Sequence, residues 1–219
     1  VISRYSGEGR TVPSATFFNL PPAKREKLLA AARAEFVRAP FAQASVNRII
    51  HGAGIPRGSF YMYFADKEEL FRYLMEDFGT QLIRQMERLL EERNGAVFAA
   101  FLDLFDYVQD RRAEYRDLLN ILRRNGDMRP GLFPGECRGG LPEGLRERMD
   151  LARLDLREAG DLEAILHQLF FLTGGALMRS AGPGGPEAAR AGLVRRMDIL
   201  RRGAEKQAAP PAGSAAEAI

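Results

Sequence analysis

The chain is poor in the residues on which most metal proteins and many enzymes depend. It has one cysteine, Cys137, and two histidines, His51 and His167, among 219 residues. A single cysteine excludes an intramolecular disulfide framework and a cysteine-rich zinc site. The histidines fall on separate predicted helices without an acid–base partner at a suggestive spacing. We expect Cys137 to be an ordinary loop thiol, with a redox role left open, and His167 to be a core side chain.

Long apolar runs and catalytic motifs are absent as well. The most apolar stretch, Leu162 to Met178, is short for a membrane span and is interrupted by Glu163 and His167. Residues 1–16 are mostly polar, so no signal peptide is expected and the cytoplasm is the expected location. The chain has no G-x-S-x-G, no P-loop and no G-x-G-x-x-G. We therefore expect a protein that is not an enzyme and needs no cofactor or metal.

The stretch from Ser45 to Leu70, SVNRIIHGAGIPRGSFYMYFADKEEL, carries the clearest local signals. Gly54 suits the positive φ of a tight turn between two short helices, and Pro56 suits the start of the second helix. Phe60 and Phe64 lie four residues apart and face the core, which leaves the polar face of that helix outward. Such a helix-turn-helix is sized for the DNA major groove, although the turn alone fits an ordinary helical hairpin equally well.

The wider pattern resembles the DNA-binding domain of the TetR family of transcriptional regulators. It runs from Lys24 to Met75 and contains LLAAARAEF, SVNRI, AGIPRGSFYMYF and DKEELF in that order. The resemblance implies phosphate contacts from Ser45 and Lys67 at two helix starts, a contact to base or backbone from Asn47, and a recognition surface on the second helix. The residues implied to contact DNA are Ser45, Asn47, Arg57, Gly58, Ser59, Tyr61, Met62, Tyr63 and Lys67.

Three residues depart from the family pattern. Pro40 replaces the usual glycine after the first helix, and because proline cannot adopt positive φ, that helix must end differently. Pro56 replaces a capping Ser or Thr and removes one phosphate-binding hydroxyl. Met62 can touch a thymine methyl but cannot donate a hydrogen bond. These departures alter the DNA sequence that is read more than they threaten the fold.

The distribution of charge agrees with this interpretation. Residues 1–63 hold nine Arg and Lys against three Glu, a net charge of +6, and since the whole chain carries +3, residues 64–219 carry −3. Positive charge on a DNA-binding domain releases condensed counterions when it neutralises phosphates. Taken alone, the same charges are more typical of solvated helix faces, and only the motif beside them favours nucleic acid.

Helical spacing of apolar residues continues through the rest of the chain, so the predicted fold class is all-α. Asp66 and Glu69 form a capping box at the start of a long helix, and Asn94-Gly95 ends it. Residues 126–142 hold five Gly and three Pro and are predicted to be loop. The predicted helices are Pro22–Ala39, the two helix-turn-helix segments, Asp66–Arg93, Ala96–Asp110, Arg112–Asn125, 143–159, 161–181 and 187–203.

These helices divide into four predicted regions. A flexible N-terminal arm covers 1–20, a three-helix helix-turn-helix domain covers 21–66, a larger helical ligand-binding and dimerisation domain covers 67–203, and a disordered tail covers 204–219.

Two sets of residues in the larger domain are candidates for further sites. Aromatic side chains are predicted to line an effector pocket, although the same spacing is typical of plain core: Phe98, Phe101, Phe105 and Tyr115, with Tyr107 and Phe133 as weaker candidates. The last two helices are predicted to form a homodimer interface rather than a monomeric core, through Leu166, Leu169, Phe170, Gly174, Leu193 and Met197. Because no cluster of like charges stands out, a hydrophobic or weakly polar effector is favoured.

The sequence thus predicts a homodimeric, sequence-specific DNA-binding transcriptional regulator that reads a palindromic operator. The resemblance implies a repressor that a small-molecule effector releases from DNA. Two alternatives stay open: a helical small-molecule-binding or interaction protein that no longer binds DNA, and a transcriptional activator.

Overall fold

The computed structural model describes residues 13–125 and 143–204, and the regular elements in these ranges are helices. The prediction of an all-α fold is confirmed. The α-helices are α1 (Ala15–Phe18), α2 (Pro22–Arg38), α3 (Val46–Ala53), α4 (Arg57–Tyr63), α5 (Lys67–Glu92), α6 (Val97–Asp110), α7 (Arg112–Arg124), α8 (Glu143–Glu147), α9 (Asp161–Arg179) and α10 (Gly185–Ala204). Short 3-10 turns lie at Phe41–Gln43 and Leu151–Arg153. The loop predicted over 126–142 and the tail predicted after Ala204 lie outside the described residues.

Helix ends follow the local signals in the sequence. Gly54 ends α3 with φ 65° and ψ 38°, the left-handed conformation expected of a C-cap glycine. Asn94 and Gly95 end α5 with φ 49° and 75°. Asp66 caps α5 by accepting a hydrogen bond of 2.8 Å from the Glu69 N–H.

The helix predicted over 143–159 is wrong after its first turn. The chain leaves α8 and turns at Asp150, whose N–H donates to the Gly95 carbonyl at 3.0 Å and whose carboxylate accepts from the Ala152 N–H. A Cβ at Gly95 would lie 2.3 Å from the Asp150 nitrogen, so the two segments need a glycine there. Leu154 then enters the core with 3% of its surface exposed. The contact of Asp150 with the α5–α6 turn therefore ends the helix, although the spacing of apolar residues predicted that it would continue.

The buried residues form two cores. The first, which we call the head core, joins α1 to α4 with the first half of α5 and includes Phe17, Phe36, Phe60 and Phe64. The second, the body core, joins the second half of α5 with α6, α8, α9 and α10. Leu82 of α5 and Leu177 of α9 pack against both cores.

Helix α7 belongs to the head core, although it comes after the predicted domain boundary at residue 66. It packs along α2, and its side chains Tyr115, Leu118 and Ile121 are buried among the residues of the helix-turn-helix domain. The helix-turn-helix domain is therefore completed by a helix from the predicted larger domain.

Residues 13–20 are not the flexible arm that the sequence predicted. They form α1, and Phe17 is fully buried with its ring centroid 4.9 Å from that of Phe64 and 5.2 Å from that of Tyr73. A buried phenylalanine of this size anchors a short helix that has too little length to persist alone.

The residues predicted to form the dimer interface lie mostly inside the protomer. Leu166, Leu169, Phe170, Leu193 and Met197 are buried in the body core, and Gly174 is half-buried. The exposed apolar residues of α9 and α10 are instead Phe171, Val194 and Ile199, with 62%, 39% and 59% of their surface exposed. His167 is also exposed and not the core histidine that was predicted.

None of the helices described here combines the length and the apolarity needed to cross a membrane.

One buried hydroxyl generates a prediction about stability. Within the described residues, the Thr173 side chain is 2% exposed and its oxygen has no hydrogen-bond partner. We expect Thr173→Val to raise the free energy of unfolding by about 1 kcal/mol, because valine has nearly the same shape and removes an uncompensated polar group. Urea unfolding at matched protein concentration measures the change.

Thr80→Val is the matched control, since Thr80 is exposed and its hydroxyl donates to the Glu76 carbonyl. Its stability is expected to change by less than about 0.5 kcal/mol. A clear loss of stability in Thr173→Val would contradict the prediction.

Candidate nucleic-acid interface

The start of α3 is held by a buried carboxylate. Glu35 of α2 is 5% exposed, accepts a bidentate pair of 2.7 Å hydrogen bonds from Arg38, and accepts a 2.8 Å bond from the Ser45 N–H. The Arg38 hydrogen bonds, together with the Ser45 N–H, hold the pKa of Glu35 below its ordinary value even though burial raises it. Ser45 is the N-cap of α3, and its side chain makes no capping bond. Its hydroxyl is therefore available to a phosphate at this helix start.

The outward face of α4 presents a compact mixture of polar and apolar groups. Tyr61 and Met62 are 48% and 60% exposed, and Arg57 and Gly58 at the start of the helix are exposed as well. The Arg57 guanidinium lies 5.9 Å from the centroid of the Tyr61 ring. A Cβ placed on Gly58 would meet nothing within 4 Å, so the backbone here can approach a ligand closely. Asn47 on α3 is exposed, and Ser59 is half-buried.

The end of α4 is braced by α1, which changes the role of Tyr63. The Ser14 hydroxyl donates to the Met62 carbonyl, and the Ser14 N–H donates to the Tyr63 carbonyl at 3.1 Å. Tyr63 is half-buried, with its ring 6.4 Å from that of Phe17, whereas the sequence predicted that it faces outward. Its ring packs between α4 and α1, so it stabilises the position of α4 and contributes little to the exposed face.

Lys67 lies at the start of α5 but points back to the turn between α2 and α3. Its ammonium donates to the carbonyls of Phe41, Ala42 and Ala44 at 2.8, 3.1 and 3.1 Å. It also lies 4.8 Å from the centroid of the Phe41 ring. These three bonds use the three donors of the ammonium, so the side chain stabilises the turn instead of offering a proton to a phosphate.

The same turn is bound from the other side by α7. The Asn125 side chain accepts a 2.7 Å hydrogen bond from the Phe41 N–H and donates to the Ile121 carbonyl at 2.8 Å. Pro40 precedes the turn with φ −55° and ψ 152°, after Ala39 ends α2 in an extended conformation. The prediction that α2 ends without the usual left-handed residue is thus confirmed, and side chains from three helices satisfy the turn.

Four of these supporting residues were not predicted from the sequence: Ser14, Phe17, Glu35 and Asn125. Ser14 has a detectable signal, because a serine directly before ATFF is a typical N-cap. The others act through contacts between distant segments, and no local pattern marks them.

The predicted effector-pocket residues are not brought together on one cavity wall. Phe98, Phe101 and Phe105 are buried in the body core, where Phe101 packs edge-on against Phe170, whereas Tyr115 is buried in the head core against Tyr107. Burial raises the pKa of the Tyr115 hydroxyl, and the hydrogen bond with Tyr107 raises it further. Phe133 lies outside the described residues.

Metal-binding side chains do not cluster in the part of the chain that the structure describes: it contains no group of three or more His, Cys, Asp or Glu placed to hold an ion.

Residues 28–74 match the family model described as "Bacterial regulatory proteins, tetR family". The match runs from α2 into α5, so it includes the helix-turn-helix and all nine residues predicted to contact DNA. The predicted resemblance is confirmed for this region, and with it the prediction of a DNA-binding regulatory domain.

A curated relative is also a helix-turn-helix transcriptional regulator. The chain is 41% identical over 68 residues to the uncharacterized HTH-type transcriptional regulator YdgC of Bacillus subtilis (strain 168), an alignment that covers 31% of this chain and 35% of YdgC. The chain thus spans about a third of the length of this relative.

Solved structures share the fold over most of the chain. A TetR-family regulator of Pectobacterium atrosepticum is 21% identical, with a TM-score of 0.54 over 90% of this chain and 99% of that one. SmeT, the repressor of the Stenotrophomonas maltophilia multidrug efflux pump SmeDEF, is 19% identical, with a TM-score of 0.50 over 93% of this chain and 99% of SmeT. SmeT has also been solved as a complex with triclosan.

The geometry of Lys67 leads to a prediction that separates two roles. If the ammonium stabilises the turn, Lys67→Met lowers the free energy of unfolding by about 1–3 kcal/mol, because three carbonyls lose a charged donor. The slope of log DNA affinity against log salt then stays as in the unmodified protein. Urea unfolding and DNA titrations at several salt concentrations measure the two quantities.

Lys24→Met on the exposed side of α2 is the control for removal of one positive charge. A salt slope for Lys67→Met that becomes shallower by about one, with stability unchanged, would instead assign the side chain to a phosphate.

Proposed function

From the premise that residues 28–74 belong to the TetR family, we propose that this protein is a homodimeric transcriptional regulator, a repressor that a small-molecule effector releases from a palindromic operator. It acts as a binding protein without catalysis, in the cytoplasm. The observation that carries the proposal is the outward face of α4, where Arg57, Tyr61 and Met62 are exposed beside the backbone of Gly58.

This face has the chemistry of a major-groove reader. A guanidinium reads guanine edges or phosphates, a phenol contacts phosphates or base edges, and the Met62 side chain suits a thymine methyl. Ser45, whose hydroxyl makes no capping bond, and the exposed Asn47 lie at the start of α3, where a phosphate can be bound. A binding site assembled in this way combines positioning contacts from α3 with sequence readout from α4.

A homodimer is supported by exposed apolar side chains on the outer surface of α9 and α10. Phe171, Val194 and Ile199 are exposed on two helices that pack against each other. Pairing two copies through this surface buries these side chains and ties two heads together. Two tied heads can read half-sites one helical turn apart, roughly 34–36 Å, as a palindrome requires.

Release by a small molecule is supported by the packing of α7 in the head core and by the fold shared with SmeT, which has been solved with triclosan. A ligand in the body that favours one position of α7 changes the position of the head. Operator and ligand then compete through the equilibrium between two arrangements, and the coupling is reciprocal.

Selection of random DNA duplexes by the purified full chain, at near-physiological salt, tests the proposal. Recovery of one palindromic sequence is expected. Recovery of no sequence by folded protein would favour the alternative of a helical ligand-binding protein whose head has lost DNA binding. A reporter placed downstream of the recovered operator distinguishes a repressor from an activator.

A first prediction concerns Tyr61. Tyr61→Ala is expected to weaken binding to the selected operator by about 1–3 kcal/mol, because the side chain projects from the proposed reading face with 48% of its surface exposed. Fluorescence anisotropy with labelled operator measures the affinity. Tyr61→Phe keeps the ring and tests the hydroxyl alone, and thermal unfolding checks that neither variant is misfolded. Unchanged affinity in Tyr61→Ala would remove this residue from the interface.

A second prediction concerns the apolar surface. Ile199→Arg is expected to shift the protein from dimer to monomer at micromolar concentration, since it places a charge where two copies would bury a side chain. Analytical ultracentrifugation measures the mass. Leu156→Arg is the matched control, because Leu156 is an exposed leucine outside α9 and α10. A monomeric unmodified protein, or an unaffected dimer in Ile199→Arg, would contradict this pairing surface.

A further inference from the structure

A groove between α7 and the end of α9 has a lining unlike the aromatic pocket that the sequence predicted. Of the described residues that line it, three are arginines and none is acidic. We call it the arginine groove; it is lined by Arg112, Arg116, Leu119, Asn120, Arg123, Leu177, Met178 and Ala181. Its volume is about 40 Å³, which holds a few water molecules or one small polar head group.

The three guanidinium groups lie along one stripe of α7. Arg112 and Arg116 are four residues apart, and Arg123 follows two turns later on the same face. Like charges at this spacing repel each other, so an anion bound between them removes an unfavourable interaction. The carboxylate paired with Arg116 is Asp117, at 3.7 Å, and both of these side chains are well exposed.

Arg112 is fixed in place by a network of neutral groups. It donates to the Gln109 side chain at 2.7 Å and to the Ser180 hydroxyl at 2.9 Å. Ser180 is 3% exposed and donates in turn to the Leu177 carbonyl. Arg123 donates to Asn120, another neutral acceptor. These bonds orient the guanidinium groups of Arg112 and Arg123 without neutralising their charge, which is the arrangement expected of an anion site.

The rest of the lining is apolar, so the site distinguishes an amphipathic anion from an inorganic one. Its apolar members are Leu119 on α7, Leu177 and Met178 on α9, and Ala181 just after α9. An aliphatic carboxylate matches both parts, because its planar head group suits bidentate binding by a guanidinium and the first carbons of its chain suit the leucine and methionine wall, while the rest of the chain extends out of the groove. A neutral ligand of the same chain length would leave the arginine charges uncompensated.

We propose that the arginine groove binds an aliphatic carboxylate and that this anion is the effector class of the protein. The assignment as an effector rests on the proposed function, whereas binding at the groove does not. The far side of α7 is packed in the head core, and Leu177 contacts both cores, so a ligand between α7 and α9 lies on the connection between body and head.

Calorimetric titration of the full chain with octanoate and with octan-1-ol tests the site. Octanoate is expected to bind saturably, more weakly as salt is raised, and octan-1-ol at least about tenfold more weakly, because it makes no charge-assisted hydrogen bond. The double variant Arg116→Gln and Arg123→Gln is expected to lose about tenfold or more in octanoate affinity. Arg84→Gln, an exposed arginine on α5, is the matched control and should bind as the unmodified protein does.

Equal binding of the alcohol, undiminished octanoate binding by the double variant, or no saturable binding at all would overturn the site. Anisotropy with the selected operator then tests the effector role: octanoate should lower operator affinity for the unmodified protein and not for the double variant. If octanoate binds at the groove and leaves operator affinity unchanged, the effector role is wrong. If no operator is found, the proposed function fails while the calorimetry still decides the binding site.

Discussion

The packing of α7 against α2 is the contact on which the rest of the structure depends. The helix-turn-helix segment is too short to enclose a core of its own, and Tyr115, Leu118 and Ile121 supply the side of that core which α2 to α4 leave open. Although α7 lies beyond the predicted domain boundary at residue 66, its side chains help to stabilise the domain before that boundary. Because these α7 side chains are part of the head core, a movement of α7 relative to α2 changes the packing of that core.

The turn at residues 40–45 shows how the same principle works at the scale of single groups. A proline after α2 removes the left-handed glycine that would end the helix and satisfy its carbonyls locally. The backbone groups of the following residues 41–45 are instead bound by Lys67, Asn125 and Glu35, from α5, the end of α7 and α2. The bonds of Lys67 and Asn125 to Phe41 join residues 26 and 84 apart in sequence, so the orientation of α3 depends on the long helix and on α7 together. The turn is thus a second contact through which α5 and α7 position the start of α3.

Features set by neighbouring residues could be predicted from the sequence, and features set by distant contacts could not. Gly54 and Asp66 determine a turn and a helix start through their own backbone and side chain, so both were predicted correctly. The end of helical structure after residue 147 depends on Asp150 meeting Gly95, more than fifty residues earlier in the chain. The burial of Leu169 and the exposure of Phe171 differ only in the rotation of α9 about its axis, which a helix that is apolar on nearly every side does not reveal. The three arginines of the groove share one face of a helix that was predicted correctly. The α9 residues that complete the groove reach it only through a contact between distant segments.

The proposed regulation depends on helix α7, because its two faces lie in different environments. One face is part of the head core and the other lines the arginine groove, so a rotation or translation that suits a bound anion changes the packing against α2. Packed cores move between discrete arrangements instead of deforming continuously, and a small displacement at the groove is therefore passed to the head. A ligand needs to prefer one arrangement by only about 1–3 kcal/mol to change operator affinity about 5–150-fold. If the proposed anion and the operator act on this one equilibrium, linkage requires the operator to lower affinity for the anion by the same factor.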